Sequence, residues 1–409
     1  MKHYPMLTGF LAVLLAIGSF GGTSPTYAAT TFTVNSTADA ADASAGNGVC
    51  ETAPGNGVCT LRAAILEANT LAGADTVILP AGTYALSLTA SGDIDILQDL
   101  ALIGAGANNT FIEAAPGFQD RLLDVGDINR GLIDLTVTIT GVTIRRGTSK
   151  GSGGGIANDS TLTINDSMIT GNTARFTSTA TGGDGGGIYN TRVLRMNNST
   201  ISDNVADDDG GGINNVGIMI LHNVTISGNR SGGDGGGMQS TNSTTTESNT
   251  VITSSTIASN WAGGNGGNIR NGNIFRMKNT LIGPSSSANG RNCSSTSVSP
   301  ITSDGHNLES NGNTCNLKTA FGDLINVDAG LSPLYPNGGP TETHALSMNS
   351  PAIDKGDPSG CTATDQRGVA RPQDGDRNGT AICDIGAYEH IPRVLPPLTE
   401  KFYLPISTR

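Results

Sequence analysis

A glycine-rich motif that recurs through the middle of the chain limits the folds open to it. The motif, Gly-Gly-Gly-Ile with two close variants, begins at Gly153, Gly185, Gly210, Gly235 and Gly266. Successive starts are 32, 25, 25 and 31 residues apart. Two loop insertions explain the longer intervals, Phe176 to Thr181 and Asn242 to Glu247. A repeat of this length indicates a solenoid, in which each unit stacks on its neighbours.

Aligning the units on the first glycine brings apolar residues into four columns and asparagines into a fifth. The first column is Ile156, Ile188, Ile213, Met238 and Ile269; the second is Leu162, Leu194, Met219 and Phe275; the third is Ile164, Met196, Leu221, Ile252 and Met277; the fourth is Ile169, Ile201, Ile226, Ile257 and Ile282. The fifth is Asn172, Asn204, Asn229 and Asn260. Stacked units would therefore form aliphatic ladders and a ladder of hydrogen-bonded asparagines.

The spacing within each unit predicts strands. The second and third columns are two residues apart, which is the period of a strand with one buried face. A helix would need a spacing of three or four, and the glycine triplets would break it. We therefore predict an all-β fold, a right-handed parallel β-helix with about three short strands per unit. A propeller blade needs a longer repeat, and a sandwich would not repeat its sequence.

Both ends of a solenoid must be covered, because an exposed core would aggregate. Thr60 can N-cap a short helix whose Leu61, Ala64, Ile65 and Ala68 share one face, which predicts the N-terminal cover. We expect an N-terminal cap over residues 29–74, the β-helix over 75–323, an irregular cap closing the far end over 324–390, and a proline-rich tail over 391–409.

The first 28 residues are typical of an export signal. Lys2 precedes the apolar run from Leu7 to Phe20, which is too short for a comfortable membrane span, and small residues follow at Thr26 and Ala28. An uncleaved anchor helix is the alternative. We expect a secreted or cell-surface protein with no transmembrane segment after cleavage.

The six cysteines fall into three local pairs, which in an exported chain predict disulfides. The pairs are Cys50 with Cys59, Cys293 with Cys315, and Cys361 with Cys383. A zinc site would need tighter spacing and nearby histidines.

Three stretches resemble known families. Residues 59–69 with 73–84 resemble the CSLREA domain, with Thr60 and Ala63 in place of its Ser and Glu. The pattern Ile201-x-x-Asn204, followed by Gly-Gly-Gly-Ile213, is similar to the repeats of polymorphic outer-membrane proteins. Residues 350–354, 364–368, 371–372 and 384–389 resemble the choice-of-anchor Q domain. The resemblance implies an extracellular or envelope-associated bacterial β-helix protein and implies no particular activity.

Two acidic patterns are candidate sites for a structural calcium ion. Asp184, Asp209 and Asp234 each precede a glycine motif and fall in one column. Carboxylates at rung spacing repel one another, and calcium would offset that charge. The alternative, which we prefer, is that each Asp caps its turn through the backbone and points into solvent.

The second pattern follows the first half of a calcium loop. It consists of Asp374, Asp376, Asn378 and Gly379, but Ile385 stands where the loop would carry its last ligand. Calcium and a metal-free turn both remain open for this segment.

Charge and the few basic residues bear on function. The net charge of −12 disfavours nucleic acid as a partner. A polysaccharide-cleaving enzyme would need paired carboxylates near a histidine or basic residue. In the repeats His222 is expected to point outward, and Arg195 and Arg276 share a column; we interpret all three as surface residues.

We therefore assign no catalytic residue and no organic cofactor. The interpretation we favour is a non-catalytic surface protein, structural or adhesive, that contacts extracellular polysaccharide or envelope components. The alternative is a polysaccharide lyase or glycoside hydrolase, which a cluster of His222 or an arginine with two carboxylates would support.

Overall fold

A computed structural model describes residues 28–126, 134–176, 182–241 and 249–392. The expected export signal as far as Tyr27 lies outside the described residues. So do residues 177–181 and 242–247 of the two insertions and the tail from residue 393. No helix within the described ranges has the length and apolar character needed to cross a membrane.

The chain forms a right-handed parallel β-helix, as the repeat predicts, with its strands stacked into sheets named A to D here. Sheet A contains Thr31–Thr33, Asp75–Leu79, Leu100–Gly104, Thr136–Thr140, Thr161–Asn165, Val193–Asn197, Ile218–His222, Asn249–Thr253, Ile274–Lys278 and Ile301–Ser303. Sheet B contains Gly82–Leu86, Thr110–Ala114, Thr143–Arg145, Met168–Thr170, Thr200–Ser202, Thr225–Ser227, Thr256–Ala258, Leu281–Ile282, Leu308–Glu309 and Leu324–Ile325.

Sheets C and D complete each turn of the solenoid. Sheet C contains Ile94–Ile96, Leu123–Val125, Ile156–Asn158, Ile188–Asn190, Ile213–Asn215, Met238–Ser240, Ile269–Asn271 and Cys293–Ser295. Sheet D contains Thr148–Ser149, Thr173–Ala174, Val205–Ala206, Arg230–Ser231, Trp261–Ala262 and Ser286–Ser287. An antiparallel hairpin follows, Leu331–Tyr335 with Thr343–Leu346, and two single-turn 3₁₀ helices lie at Thr319–Phe321 and Pro358–Gly360.

The register of the strands confirms the predicted apolar columns. The first column stacks in sheet C, the second and third stack in sheet A, and the fourth stacks in sheet B. Every residue of these columns is buried in one continuous core. Thr250 occupies the second column between Met219 and Phe275, and it is buried as well.

The first glycine of each motif is required by a close approach of the backbone. Gly210 has a φ of +65°, and a Cβ atom placed on it would lie 2.4 Å from the carbonyl oxygen of Ile213. The chain therefore turns back directly over the outer side of the sheet C strand that follows. Only glycine combines this positive φ with so little space.

Asparagine side chains form two ladders through the buried interior. Asn172 Nδ2 donates to Asn204 Oδ1 at 3.0 Å, and the same bond links Asn204 to Asn229 and Asn229 to Asn260. This confirms the predicted fifth column. A second ladder, which the alignment did not pick out, joins Asn158, Asn190 and Asn215.

The N-terminal end is covered by the helix Leu61–Ala68, as predicted. Thr60 is its N-cap, and the Thr60 hydroxyl accepts a hydrogen bond from the backbone N–H of Ala63 at 3.1 Å. Leu61, Ala64 and Ile65 pack into the solenoid core. The Cys50–Cys59 disulfide holds the segment before the helix, and the other two predicted disulfides are also present.

The sequence predicts that residues 324–390 close the far end of the solenoid; in the structure most of this segment lies along its side. After a last strand in sheet B, it runs back over the outer face of that sheet, where His344 Nε2 lies 2.8 Å from Ser227 Oγ. Residues 313–317 instead reach across the far end: Asn316 Nδ2 donates to the Ile301 carbonyl, and Cys315 and Leu317 join the core. The side position is stabilised by Leu281 and Leu308, which point outward from sheet B and pack under the segment.

Buried charges hold the C-terminal segment in shape. Arg367 Nη2 lies 2.7 Å from Asp365 Oδ2 and donates to the Glu389 carbonyl at 2.6 Å. The Arg371 side chain, fully buried, lies 3.3 Å from Glu389 Oε2. All four residues belong to the stretches that resemble the choice-of-anchor Q domain, so in this chain those stretches supply internal contacts.

Candidate functional site

The outer face of the ten-stranded sheet A carries a column of polar side chains. Its polar column, defined here as Thr140, Asn165, Asn197, His222 and Thr253, runs through consecutive rungs. Asn197 Nδ2 donates to Asn165 Oδ1 at 2.9 Å, and Asn165 Nδ2 donates to Thr140 Oγ1 at 3.4 Å. Rungs are about 4.8 Å apart, so this column presents hydrogen-bonding groups at regular intervals.

His222 lies at the outward position that the sequence predicts. Its Nδ1 is 2.7 Å from Thr253 Oγ1, and burial lowers its pKa, with a further lowering from the charge of Arg371. Arg195 is exposed beside the polar column. Within the part of the chain that the structure describes, neither residue forms an ion pair with a carboxylate. Arg276 does: its Nε donates to Asp304 Oδ2 at 2.9 Å.

The predicted aspartate column is present beside sheet C, and its carboxylates bind the backbone of the next rung. Asp184 Oδ1 accepts from the Asp209 N–H at 3.1 Å, and Asp209 Oδ1 accepts from the Asp234 N–H at 2.6 Å. Asp234 in turn accepts from the Asn265 N–H at 2.6 Å and pairs with Arg270 at 3.0 Å. The column therefore caps turns, although it caps the following turn rather than its own.

A residue outside the predicted set completes an acidic group at this column. Asp184, Asp208 and Asp209 each offer a carboxylate oxygen, and these oxygens lie within 4.8 Å of one another. Burial raises the pKa of Asp184 and of Asp209. Asp208 is exposed. Three carboxylates at this spacing match the oxygen chemistry that calcium prefers.

The C-terminal candidate loop is a chain of local turns. Asp374 Oδ2 accepts from the Gly379 N–H, and Asp376 Oδ1 accepts from the Asn378 N–H, both at 3.0 Å. Asn378 Oδ1 accepts from the Thr380 N–H at 2.8 Å. The structure adds the buried Asp354, whose carboxylate groups with those of Asp374 and Asp376 but is bonded to two backbone amides.

A third acidic group, which the sequence reading missed, lies near the N-terminal cap. Asp95 and Asp124 occupy the same column of sheet C, and Asp93 joins them. Arg121 Nη1 donates to Asp124 Oδ2 at 2.9 Å, and Arg121 Nε is 3.4 Å from Asp93 Oδ2. Asp93 and Asp95 also line a cavity of about 290 Å³ beside the capping helix.

Two carboxyl groups of this third group titrate near neutral pH. Burial and the charge of Asp120 raise the pKa of Asp93 to about 6. Burial raises the pKa of Asp124 to about 7, against the opposing charge of Arg121. The sequence gives little indication that these aspartates lie together, because the early coils lack the glycine motif that fixes the register elsewhere.

The fold and these groups define a parallel β-helix with acidic and polar surfaces. No protein-family model matches the chain, and no curated protein matches it. The resemblance to CSLREA and choice-of-anchor Q domains therefore stays a prediction. Among solved structures, the chain is similar to the crystal structure of pectate lyase Pel9A, at 15% identity over 90% of this chain and 98% of that one, with a TM-score of 0.37. A likeness of this size carries no argument about activity.

Proposed function

We propose that the protein is a non-catalytic β-helix of the bacterial cell surface or secreted fraction, and that it binds an extracellular polysaccharide or envelope polymer through the outer face of sheet A. The observation that carries this proposal is the polar column. Its amide, hydroxyl and imidazole groups recur at rung spacing, and beside them lies Arg195, which has no ion-pair partner among the described residues. A polymer with its own regular repeat can be bound by such a surface through many weak contacts.

The local chemistry favours binding over bond cleavage at this face. Cleavage requires a proton donor and acceptor held around one bond. Along the described part of the polar column, His222 is bonded to a threonine hydroxyl and has no carboxylate partner. Arg195 can pair with an acidic sugar, because a guanidinium binds a carboxylate through two parallel hydrogen bonds.

A binding and cleavage screen against acidic and neutral polysaccharides tests the proposal. We expect reproducible binding without product release, weakened about tenfold in Arg195→Ala, which corresponds to a loss of about 1.4 kcal/mol. Arg291→Ala is the matched control, since Arg291 is an exposed arginine in the turn before the last sheet C strand. Equal loss in both variants, or no binding to any polymer, would overturn the assignment to sheet A.

A polysaccharide lyase or glycoside hydrolase is a second candidate, favoured by the acidic group at Asp93, Asp95 and Asp124. Carboxyl groups with pKa values of about 6 and 7 can donate and accept protons at neutral pH. Arg121 adds a cation within reach of two of them. This candidate predicts product release that Asp124→Asn abolishes while polymer binding is retained. If Asp124→Asn and the unchanged protein release product at the same rate, this group is not the active site.

A further inference from the structure

Two amide side chains on the outer side of sheet C are buried without complete hydrogen bonding. Asn214 and Gln239 are only 5% and 9% exposed. Asn214 Oδ1 and Gln239 Oε1 have no hydrogen-bond partner among the residues that the structure describes. A buried carbonyl oxygen without a donor costs about 1–3 kcal/mol. The two residues lie on adjacent rungs, paired in register.

Both oxygens lie beside the aspartate column. Tyr189, Asn214 and Gln239 stack in register on consecutive strands of sheet C. Tyr189 and Gln239 both interact with the aspartate column. The charge of Asp184 raises the pKa of the Tyr189 hydroxyl, and the Gln239 side chain hydrogen-bonds to Asp209. Asn214 stands between them in the same register, so its side chain leaves the sheet on the same face as theirs.

We propose that a calcium ion binds here, held by the carboxylates of Asp184, Asp208 and Asp209 and by the amide oxygens of Asn214 and Gln239. Calcium takes six to eight oxygen ligands and accepts carboxylates, amide carbonyls and water together. The ion would offset three neighbouring negative charges and give both orphaned oxygens a partner. Asp234 is not a ligand, because its carboxylate lies outside this group and is paired with the Arg270 guanidinium.

The site would connect three rungs of the solenoid, since its ligands come from the coils that contain Gly185, Gly210 and Gly235. Its contribution would be to stability, and it is independent of polymer binding at sheet A. Surface calcium sites of extracellular proteins bind with dissociation constants on the order of 0.1–1 mM, so we expect saturation in 10 mM CaCl2.

Calorimetric titration of the chelator-treated full chain with CaCl2, together with thermal melts, tests the site. We expect binding, and a higher Tm in calcium than in chelator. Asp208→Asn should weaken calcium binding at least tenfold, whereas Asp207→Asn, the same charge change one residue earlier, should leave it unchanged. The same measurements in proteins that also carry Asp376→Asn separate calcium binding at this site from calcium binding at the C-terminal loop.

Asn214→Leu provides the sharper variant. It removes an unpaired oxygen and keeps the number and branching of the side-chain heavy atoms, so its Tm in chelator should equal or exceed that of the unchanged protein. The increase in Tm on adding calcium should be much smaller for this variant than for the unchanged protein. The proposal is overturned if the unchanged protein shows no calcium binding, or if Asp208→Asn and Asn214→Leu bind calcium as well as it does.

Discussion

Gln366 Nε2 donates a hydrogen bond to Thr200 Oγ1 at 2.9 Å, although the two residues are 166 positions apart in the chain. The Gln366 Oε1 accepts from Thr225 Oγ1 at 2.6 Å. One buried amide therefore joins the C-terminal segment to two neighbouring rungs of sheet B. The segment depends on such polar contacts because the outer face of this sheet is lined largely by threonine and serine in the middle of the solenoid.

Replacing Gln366 with leucine should loosen the C-terminal segment. The change leaves the Thr200 and Thr225 hydroxyls without this buried partner, so we expect a loss of about 2–3 kcal/mol in the free energy of unfolding. Urea denaturation measures it, and limited proteolysis should show earlier cleavage after residue 325. Gln373→Leu is the control, because among the described residues the Gln373 side-chain amide makes only an exposed bond, to the Ala370 carbonyl. Similar losses in the two variants would contradict the anchoring role.

The buried ladder of Asn172, Asn204, Asn229 and Asn260 should be far more sensitive to substitution than the half-buried polar column of sheet A. Asn229 Nδ2 donates to the Asn260 Oδ1 and the Ile201 carbonyl, and its Oδ1 accepts from Asn204. We expect Asn229→Ala to cost about 3 kcal/mol, because several buried groups lose partners at once.

Asn165→Ala, in the polar column, makes the same chemical change where water can replace the lost bonds, and it should cost less than about 1 kcal/mol. Thermal melts of both variants compare the two ladders. Equal decreases in Tm would show that the buried ladder contributes no more to stability than the polar column does.

Gly210 should not tolerate a side chain. Alanine would have to adopt a φ of +65° and place its Cβ 2.4 Å from the Ile213 carbonyl oxygen, so the turn must move. We expect a loss of at least 2 kcal/mol for Gly210→Ala, from strain and displaced packing together. Gly151→Ala is the control, since nothing lies within 4 Å of a Cβ there and its φ is not positive. Chemical denaturation should leave that variant within about 0.5 kcal/mol of the unchanged protein.

His344 should make stability fall in mild acid. Its Nδ1–H donates to the Ser332 carbonyl at 2.6 Å, and its Nε2 lies 2.8 Å from the Ser227 hydroxyl, which can donate to the neutral ring. Burial lowers its pKa below 6.5. Below pH 6.5 the unfolded chain binds a proton that the folded chain does not, and stability therefore decreases as the pH falls.

The comparison with His344→Gln isolates this effect from that of other groups. Buried carboxyls with raised pKa values, such as Asp384, act in the opposite direction in both proteins. From pH 7.5 to 5, the unchanged protein should lose more unfolding free energy than the variant. Parallel pH profiles would show that His344 does not contribute.

The repeated part of the fold was predictable because identical side chains recur at fixed offsets, so one alignment places Ile188 on Ile156 and Asn204 on Asn172. The Asn158–Asn190–Asn215 ladder obeys the same offset and was present in that alignment. The path of residues 341–390 was not predictable, because the contacts of Gln366 and His344 are non-local and follow no repeat. The grouping of Asp95 with Asp124 depends on coils without the glycine motif, whose register only the structure fixes.

The return of the C-terminal segment over sheet B has a consequence for the order of folding. A simple solenoid can add one coil at a time as the chain emerges from the ribosome, because each coil needs only its predecessor. Here the rungs around Thr200 and Thr225 are finished only when residues some 140 to 166 positions later have arrived. Such distant contacts slow folding, because a long loop must close before they form. The middle of the solenoid is therefore assembled early and completed last.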